Sequence, residues 1–327
     1  MSPLSRRELL LSLPALAVAR RLLAQAAPLR IGGLHYVTLA VSDVARSLAF
    51  YQSLFGMPVQ ARHGSNVLLR IGDGPLFIEL MPAGADGPRI DHWGLSVPGY
   101  ELGRVMEVLA AHGVSRAIGG QGLSGGPMRA RISTRDGTPE VFVGDPDGLA
   151  AQLVDPRYCG GGGMLGETCG APERSPAAGD LHLLGISHLT VNVSDPEATN
   201  AFYQRVFGTD IQTYQAASPL MGVGAGSDFL MFIGAGNGGA RVNHAAFYVA
   251  DFDVERIQGV LERHDIRPRE GNGATPMTHY VSMRMPNRGG APEGTPELYF
   301  IDPDGLSIQL QDLTYCGGGG VLGSVCE

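Results

Sequence analysis

Leu34-His35-Tyr36-Val37-Thr38-Leu39-Ala40-Val41-Ser42-Asp43 is answered 152 residues later by Ile186-Ser187-His188-Leu189-Thr190-Val191-Asn192-Val193-Ser194-Asp195. Each run alternates apolar and polar side chains, as a strand does between two different surroundings, and ends on an aspartate suited to cap a helix. The agreement continues downstream: Ala49-Phe50-Tyr51 matches Ala201-Phe202-Tyr203, Phe55-Gly56 matches Phe207-Gly208, and Asp91-His92-Trp93 matches Asn243-His244-Ala245. At an offset of 157, Asp145-Pro146-Asp147-Gly148 matches Asp302-Pro303-Asp304-Gly305. Ordered agreement at nearly constant spacing means two copies of one module, and a chain of 327 residues is long enough for two domain cores.

Working outward, each opening strand leads into a helix that runs through Phe-Tyr to a terminating Phe-Gly. Short β-rich runs follow, such as Val67 to Ile71, Leu76 to Leu80 and Phe229 to Ile233, separated by Gly and Pro turn signals. Strand, helix and three strands make a βαβββ unit. His92-Trp93-Gly94-Leu95-Ser96-Val97 restarts it, with a helix from Tyr100 to Ala111 and further strands ending near Gln152. The expected fold class is therefore α+β, with two tandem modules of two βαβββ units each, over residues 30–157 and 182–313.

Composition narrows the chemistry. The formal charge is −8, which disfavours a nucleic-acid partner. All 24 basic residues are arginine; without lysine there is no Schiff base, no pyridoxal-phosphate anchor and no phosphate-loop lysine. The opening Ser5-Arg6-Arg7-Glu8-Leu9-Leu10, an apolar stretch and Ala24-Gln25-Ala26 resemble a twin-arginine export signal over residues 1–26. Its apolar run, Leu9 to Ala19, is shorter than the roughly 20 residues that span a bilayer. The expectation is a periplasmic protein with no membrane contact unless the signal is retained as an anchor.

The repeated pattern of His-apolar-Thr-apolar, Asp, Phe-Tyr and Phe-Gly, a mid-module histidine strand and a closing Asp-Pro-Asp-Gly turn resembles the vicinal-oxygen-chelate superfamily of glyoxalases, fosfomycin-resistance proteins and extradiol dioxygenases. The resemblance covers nearly the whole chain after residue 30. Members place metal ligands on the first strand of each unit and on the last strand, which assigns His188, His244 and Gln309 to a metal site in the second module. Phe232 falls at the remaining fourth-strand position and cannot ligate. Gln309 stands where the extradiol pattern has glutamate. Tyr299-Phe300-Ile301-Asp302-Pro303-Asp304-Gly305 follows the extradiol signature, whose tyrosine donates a hydrogen bond to substrate or oxygen intermediates, and assigns Tyr299 a catalytic role. His279 and Arg284, on an expected late strand, are candidates for orienting an acidic substrate. Two imidazoles, one oxygen donor and open positions is an arrangement used by iron(II) oxygenases, so iron(II) is the expected metal, with zinc, nickel and manganese as alternatives. The first module offers Tyr36, Glu79, His92 and Gln152 at the same positions, with Phe142 in place of Tyr299, and reads as a module that has lost its metal and supports the fold, a glyoxalase-like site on Glu79 and His92 being the alternative.

A second repeat contains every cysteine. Tyr158-Cys159 followed by four glycines and ending at Cys169 recurs as Tyr315-Cys316 ending at Cys326, again at 157. In an oxidising compartment these read as disulfides, most simply Cys159 with Cys169 and Cys316 with Cys326, though cross-pairing between the repeats also satisfies the count. Residues 158–181 read as a Gly/Pro-rich linker and 314–327 as a Gly/Cys tail.

The functional expectation is an exported metal-dependent dioxygenase acting on a small, catechol-like, oxygen-chelating substrate. The alternatives are a glyoxalase-type lyase or isomerase, in which the metal stabilises an enediolate beside a carboxylate base, and a metal-free small-molecule-binding protein. A monomer or homodimer is expected.

Overall fold

The computed structural model describes residues 27–117 and 126–326; the expected export signal lies outside the described residues. In module one the chain runs β1 (Gly33–Val41), α1 (Val44–Phe55), β2 (Val59–His63), β3 (Asn66–Arg70), β4 (Phe77–Pro82), β5 (Arg89–Ser96), α2 (Leu102–Ala111), β6 (Ser115–Arg116), β7 (Arg129–Arg135), β8 (Thr138–Gly144) and β9 (Ala150–Val154). Module two repeats this as β10 (Leu183–Val193), α3 (Pro196–Phe207), β11 (Ile211–Gln215), β12 (Ser218–Gly222), β13 (Phe229–Gly234), β14 (Arg241–Val249), α4 (Val254–Arg263), β15 (Arg267–Pro268), β16 (Thr278–Arg284), β17 (Thr295–Ile301) and β18 (Ser307–Gln311).

Each module forms one nine-stranded sheet, ordered β2-β3-β4-β1-β5-β9-β8-β7-β6 and β11-β12-β13-β10-β14-β18-β17-β16-β15. The two units of a module join through their first strands, which pair antiparallel as β1 with β5 and β10 with β14. The second unit of each carries one strand beyond the expected three. It is the two-residue strand β6 or β15, a few residues after the helix, which pairs in parallel with the start of β7 or β16.

The helix signals act as local chemistry dictates. Asp43 accepts from the backbone N–H groups of Ala45 and Arg46, and Gly56 ends α1 in the left-handed conformation at φ 68°, where a side chain is disfavoured. Asp195 and Gly208 do the same for α3.

One hydrophobic core runs through both modules. The contacts between them are reciprocal, because each module offers its first helix to the other's Asp-Pro-Asp-Gly turn. Tyr51 on α1 donates to Asp302 Oδ2 at 3.0 Å, and Arg46 pairs with Asp304 at 2.7 Å. In the other direction the Ser194 N–H donates to Asp147 Oδ2 at 2.9 Å, and Tyr203 on α3 senses the charge of Asp145. The tandem repeat thereby builds a two-fold-like pair within one chain.

The segment between the modules packs on module one. Cys159 and Cys169 form a disulfide, Glu173 and Val59 exchange backbone hydrogen bonds, and the N–H groups of Asp180 and Leu181 both reach Leu54 O. Cys316 and Cys326 form the second disulfide, so each cysteine pairs within its own repeat.

Candidate metal centre and its cavity

Eight strands of the second sheet contribute to one cavity of about 370 Å³, so the sheet wraps around it. His188 and Thr190 lie two apart on β10 and project to the same face. Thr190 is paired with His244 on β14, and His188 with Ala246. Ala246 is in turn paired with Gln309 on β18, Gln309 with Tyr299 on β17, and Tyr299 with Tyr280 on β16. The ladder thus carries donor atoms from three adjacent strands to one point and continues them into an aromatic wall.

At that point His188 Nε2 lies 3.1 Å from Gln309 Oε1 and 3.3 Å from His244 Nε2. His244 donates Nδ1–H to Asn243 Oδ1 at 2.9 Å, which leaves its Nε2 as a lone pair aimed at the other two atoms. His188 Nδ1 is 3.1 Å from Ser187 Oγ, and its ring is stacked on Phe229 at 4.3 Å and on Tyr315 at 5.6 Å. Burial pushes His188 well below the ordinary imidazole range, reinforced by neighbouring His244 and opposed by Gln309. Burial likewise lowers His244 to about 4 against the contact with Gln309. Both rings are neutral near pH 7, the form that ligates metal.

Among the described residues no three His, Cys, Asp or Glu side chains cluster for a metal ion, so a site here has to use the amide oxygen of Gln309. The residues fit such an ion. Bonds of about 2.1 Å place neighbouring donors roughly 3.0 to 3.4 Å apart, as these are. Gln309 turns its Oε1 toward the histidines, while its Nε2 is buried without a hydrogen-bond partner. Three electron-pair donors converging in a dry site are stabilised by a cation among them.

Tyr299 stands beside this triplet, its ring edge-on to His244 at 5.3 Å and stacked on Tyr280 at 4.9 Å. Burial holds its phenol well above the ordinary range, helped by Glu297, Tyr315 and Tyr280 and opposed by Arg288, so it is a proton donor at neutral pH. Its hydroxyl is 3.5 Å from Glu297 Oε2, too long for a firm hydrogen bond.

Other expected site residues fall elsewhere. His279 is paired with Phe300 and points to the helix face of the sheet, where its Nε2 is 3.5 Å from Glu262 on α4. Strand alternation gives the cavity to Tyr280 instead, so His279 does not reach it. Arg284 is fully buried and donates to Glu297 at 2.8 Å and to the carbonyls of Gly289 and Gly318; it ties the tail loop down and is not free to meet a substrate. On β13 the inward residue is Met231, opposite Thr190, whereas Phe232 packs on Tyr203 at 4.7 Å on the helix side. The assignment of Phe232 to the cavity was one residue out of register, and one residue reverses the face.

Among the cavity residues that escaped the sequence reading are Glu297, Tyr315 and Arg288. The first two carried a signal, because Thr-Pro-Glu recurs at 138–140 and 295–297, as does Tyr before each first cysteine.

The sequence profile of the Glyoxalase/Bleomycin resistance protein/Dioxygenase superfamily matches residues 33–153 and again 185–310. The chain belongs to this superfamily.

Solved structures of the same superfamily architecture agree over most of both chains. A catechol 2,3-dioxygenase is 17% identical with a TM-score of 0.59, covering 89% of this chain and 88% of its own. A variant of homoprotocatechuate 2,3-dioxygenase from B. fuscum is 18% identical with a TM-score of 0.58, covering 88% and 74%. A Mn(II)-bound glyoxalase from Novosphingobium aromaticivorans is 16% identical with a TM-score of 0.57, covering 86% and 82%. No functionally curated protein matches the sequence.

Within this superfamily frame, module one has the same scaffold with different contents. Tyr36 stacks on Phe77 at 4.6 Å as His188 does on Phe229, and its hydroxyl donates to Gln152. Thr38 donates to Glu79 at 2.7 Å and lies 3.2 Å from His92 Nε2, while Asn66 donates to the other oxygen of Glu79. His92 and Phe142 meet edge to face at 5.4 Å. Tyr36 therefore fills the place of the first ligand and engages the amide oxygen, leaving one imidazole, and the metal donor triplet of module two is not reproduced.

Proposed function

We propose that module two is the active site of a metal-dependent dioxygenase of extradiol type, acting on a small substrate that chelates through two adjacent oxygens. The observation that carries this is the convergence of His188, His244 and Gln309 with a protonated Tyr299 beside them. Iron(II), held by these three donors with further coordination positions open, would supply binding sites for the substrate oxygens and for dioxygen. The chain's own residues do the rest. Phe229 and Tyr315 fix the plane of the His188 ring, and Asn243 fixes the tautomer of His244. Tyr299 holds a proton to donate to an oxygen atom of the substrate. The aromatic wall of Tyr280 and Tyr299 flanks a planar ligand and keeps water from it.

Gln309 contributes no negative charge, so the site favours a dianionic chelate over a neutral one. The lyase alternative requires a free carboxylate base. Glu297 is the acid lining the cavity, and it is engaged by Arg284 at 2.8 Å and Tyr315 at 3.2 Å. Module one holds Glu140 the same way, between Arg135 at 2.8 Å and Tyr158 at 3.0 Å, without a metal triplet. That recurrence makes Glu297 a structural group and favours the oxygenase reading.

We also infer export to the periplasm, from the leader sequence and from two disulfides that would not persist in a reducing cytosol.

Elemental analysis of the purified protein tests the reading. One equivalent of iron after anaerobic reconstitution is expected, with affinity reduced at least about a hundredfold in His188→Ala and His244→Ala, since even outer partners of ligands are worth 10 to 100-fold. Oxygen uptake with catechols should follow the iron. No metal after reconstitution overturns the reading. Gln309→Glu, which restores a carboxylate, is expected to tighten metal binding by about tenfold.

A further inference from the structure

The modules differ most in one hairpin. In module one Arg135 and Thr138 are paired and only Asp136 and Gly137 lie between them. In module two the corresponding pair, Arg284 and Thr295, is separated by residues 285–294. The longer loop makes a single 3-10 turn at Pro286–Arg288 and brings Arg288 into the cavity wall beside Tyr280, Ser282, Glu297 and Tyr299.

Among the described residues Arg288 is ion-paired with no carboxylate, and Glu297, the acid within the wall, is taken by Arg284. A second cation stands behind the same wall, since Arg269 lies 3.4 Å from the centre of the Tyr280 ring. Local charge at the cavity mouth is thus positive in a chain whose net charge is −8. Arg288 is near enough to act on Tyr299 by its charge.

We propose that Arg288 is a specificity residue that recognises an anionic substituent, a carboxylate, on a substrate whose two adjacent oxygens face His188, His244 and Gln309. The inference rests on the diol-chelating reading above. A planar guanidinium matches a carboxylate in a two-point hydrogen-bonded pair, and because Arg288 is exposed it discriminates without the cost of burying an unpaired charge. The longer hairpin then has a function: it adds to the metal-competent module a contact that module one lacks.

Calorimetric titration of the zinc-reconstituted protein tests this with three probes: catechol, 3,4-dihydroxybenzoate and benzoate. Zinc holds the site without redox turnover. We expect 3,4-dihydroxybenzoate to bind about tenfold or more tightly than catechol, as a charge-assisted pair allows. Arg288→Gln should erase that difference and leave catechol affinity unchanged, while Arg288→Lys keeps part of it. Replacing residues 285–294 by Asp-Gly, the connection of module one, should act like Arg288→Gln. Equal affinity for the two diols, or a difference that persists in Arg288→Gln, overturns the inference and leaves the diol reading intact. Benzoate binding that depends on Arg288 while neither diol is chelated would keep Arg288 as a carboxylate contact but overturn the diol reading, and with it the inference as stated. Failure of both benzoate and 3,4-dihydroxybenzoate to bind overturns the inference.

Discussion

Modules one and two are the same sheet with the same helices, and they differ at the pivot of the first strand. His188 faces Ala246 in module two; Tyr36 faces Gly94 in module one. A Cβ on Gly94 would overlap the Tyr36 ring, so glycine is what makes room for the larger aromatic side chain. Tyr36 then spans to Gln152 and closes the place where module two gathers its donors. The lesson is that opening or closing this cluster of donor atoms takes a coupled pair of positions on neighbouring strands. The surrounding Arg-Glu-Tyr arrangement, Arg135-Glu140-Tyr158 and Arg284-Glu297-Tyr315, is shared by both modules and belongs to the fold.

The strongest way to probe that shared arrangement is to break it in each module. Arg284 and Glu297 are buried, with side-chain exposures of 0% and 5%, whereas Arg135 and Glu140 retain 19% and 11%. Arg284→Met leaves a buried carboxylate unpaired and should cost about 3 to 5 kcal/mol in denaturant unfolding. Arg135→Met should cost less, because solvent screens the remaining charge. Equal losses would show that exposure does not separate the two.

The coupled pair comes next. Gly94→Ala alone should destabilise module one by about 1 to 3 kcal/mol through overpacking, and Tyr36→His in the same chain should relieve most of it, giving a clear non-additive cycle. The double variant presents a second imidazole beside His92 and Gln152, and metal analysis should rise from one equivalent to two. A stoichiometry that stays at one would mean that the donors alone do not make the site.

The smallest effect concerns the two Asp-Pro-Asp-Gly turns. Burial raises Asp145 to about 7, opposed by backbone N–H groups, and raises Asp302 only to about 6, where the Tyr51 hydroxyl adds its own hydrogen bond. A carboxyl whose folded value lies above the unfolded one, about 4, contributes stability that is complete below pH 4 and lost as pH rises through the folded value. Stability should therefore decline across pH 4 to 7, with Asp302 titrating before Asp145. In Tyr51→Phe the Asp302 carboxyl should move up toward Asp145 in a carbon-13 titration; an unchanged midpoint would remove the hydrogen bond as the cause of the difference.

Most of the architecture was legible from residues 34–43 and their echo, because alternation, capping aspartates and terminating glycines are local rules. His188, His244 and Gln309 were pointed to by the family resemblance, which places ligands on those strands, and the structure brings the three side chains together. Phe232 and His279 show the limit: each sits one residue from the cavity-facing position of its strand, and facing is decided by which surface the sheet buries.

By itself the sequence determined the tandem repeat and the strand and helix order, since each depends on patterns within a few residues or on self-comparison; it left the cysteine pairing open and pointed to the three donors only through resemblance to a family. Only the tertiary structure decided that Tyr36 closes module one, that Glu297 is held by Arg284, and that the longer hairpin turns Arg288 into the cavity. Those outcomes depend on which side chains meet across strands far apart in sequence, and on the space each leaves the other.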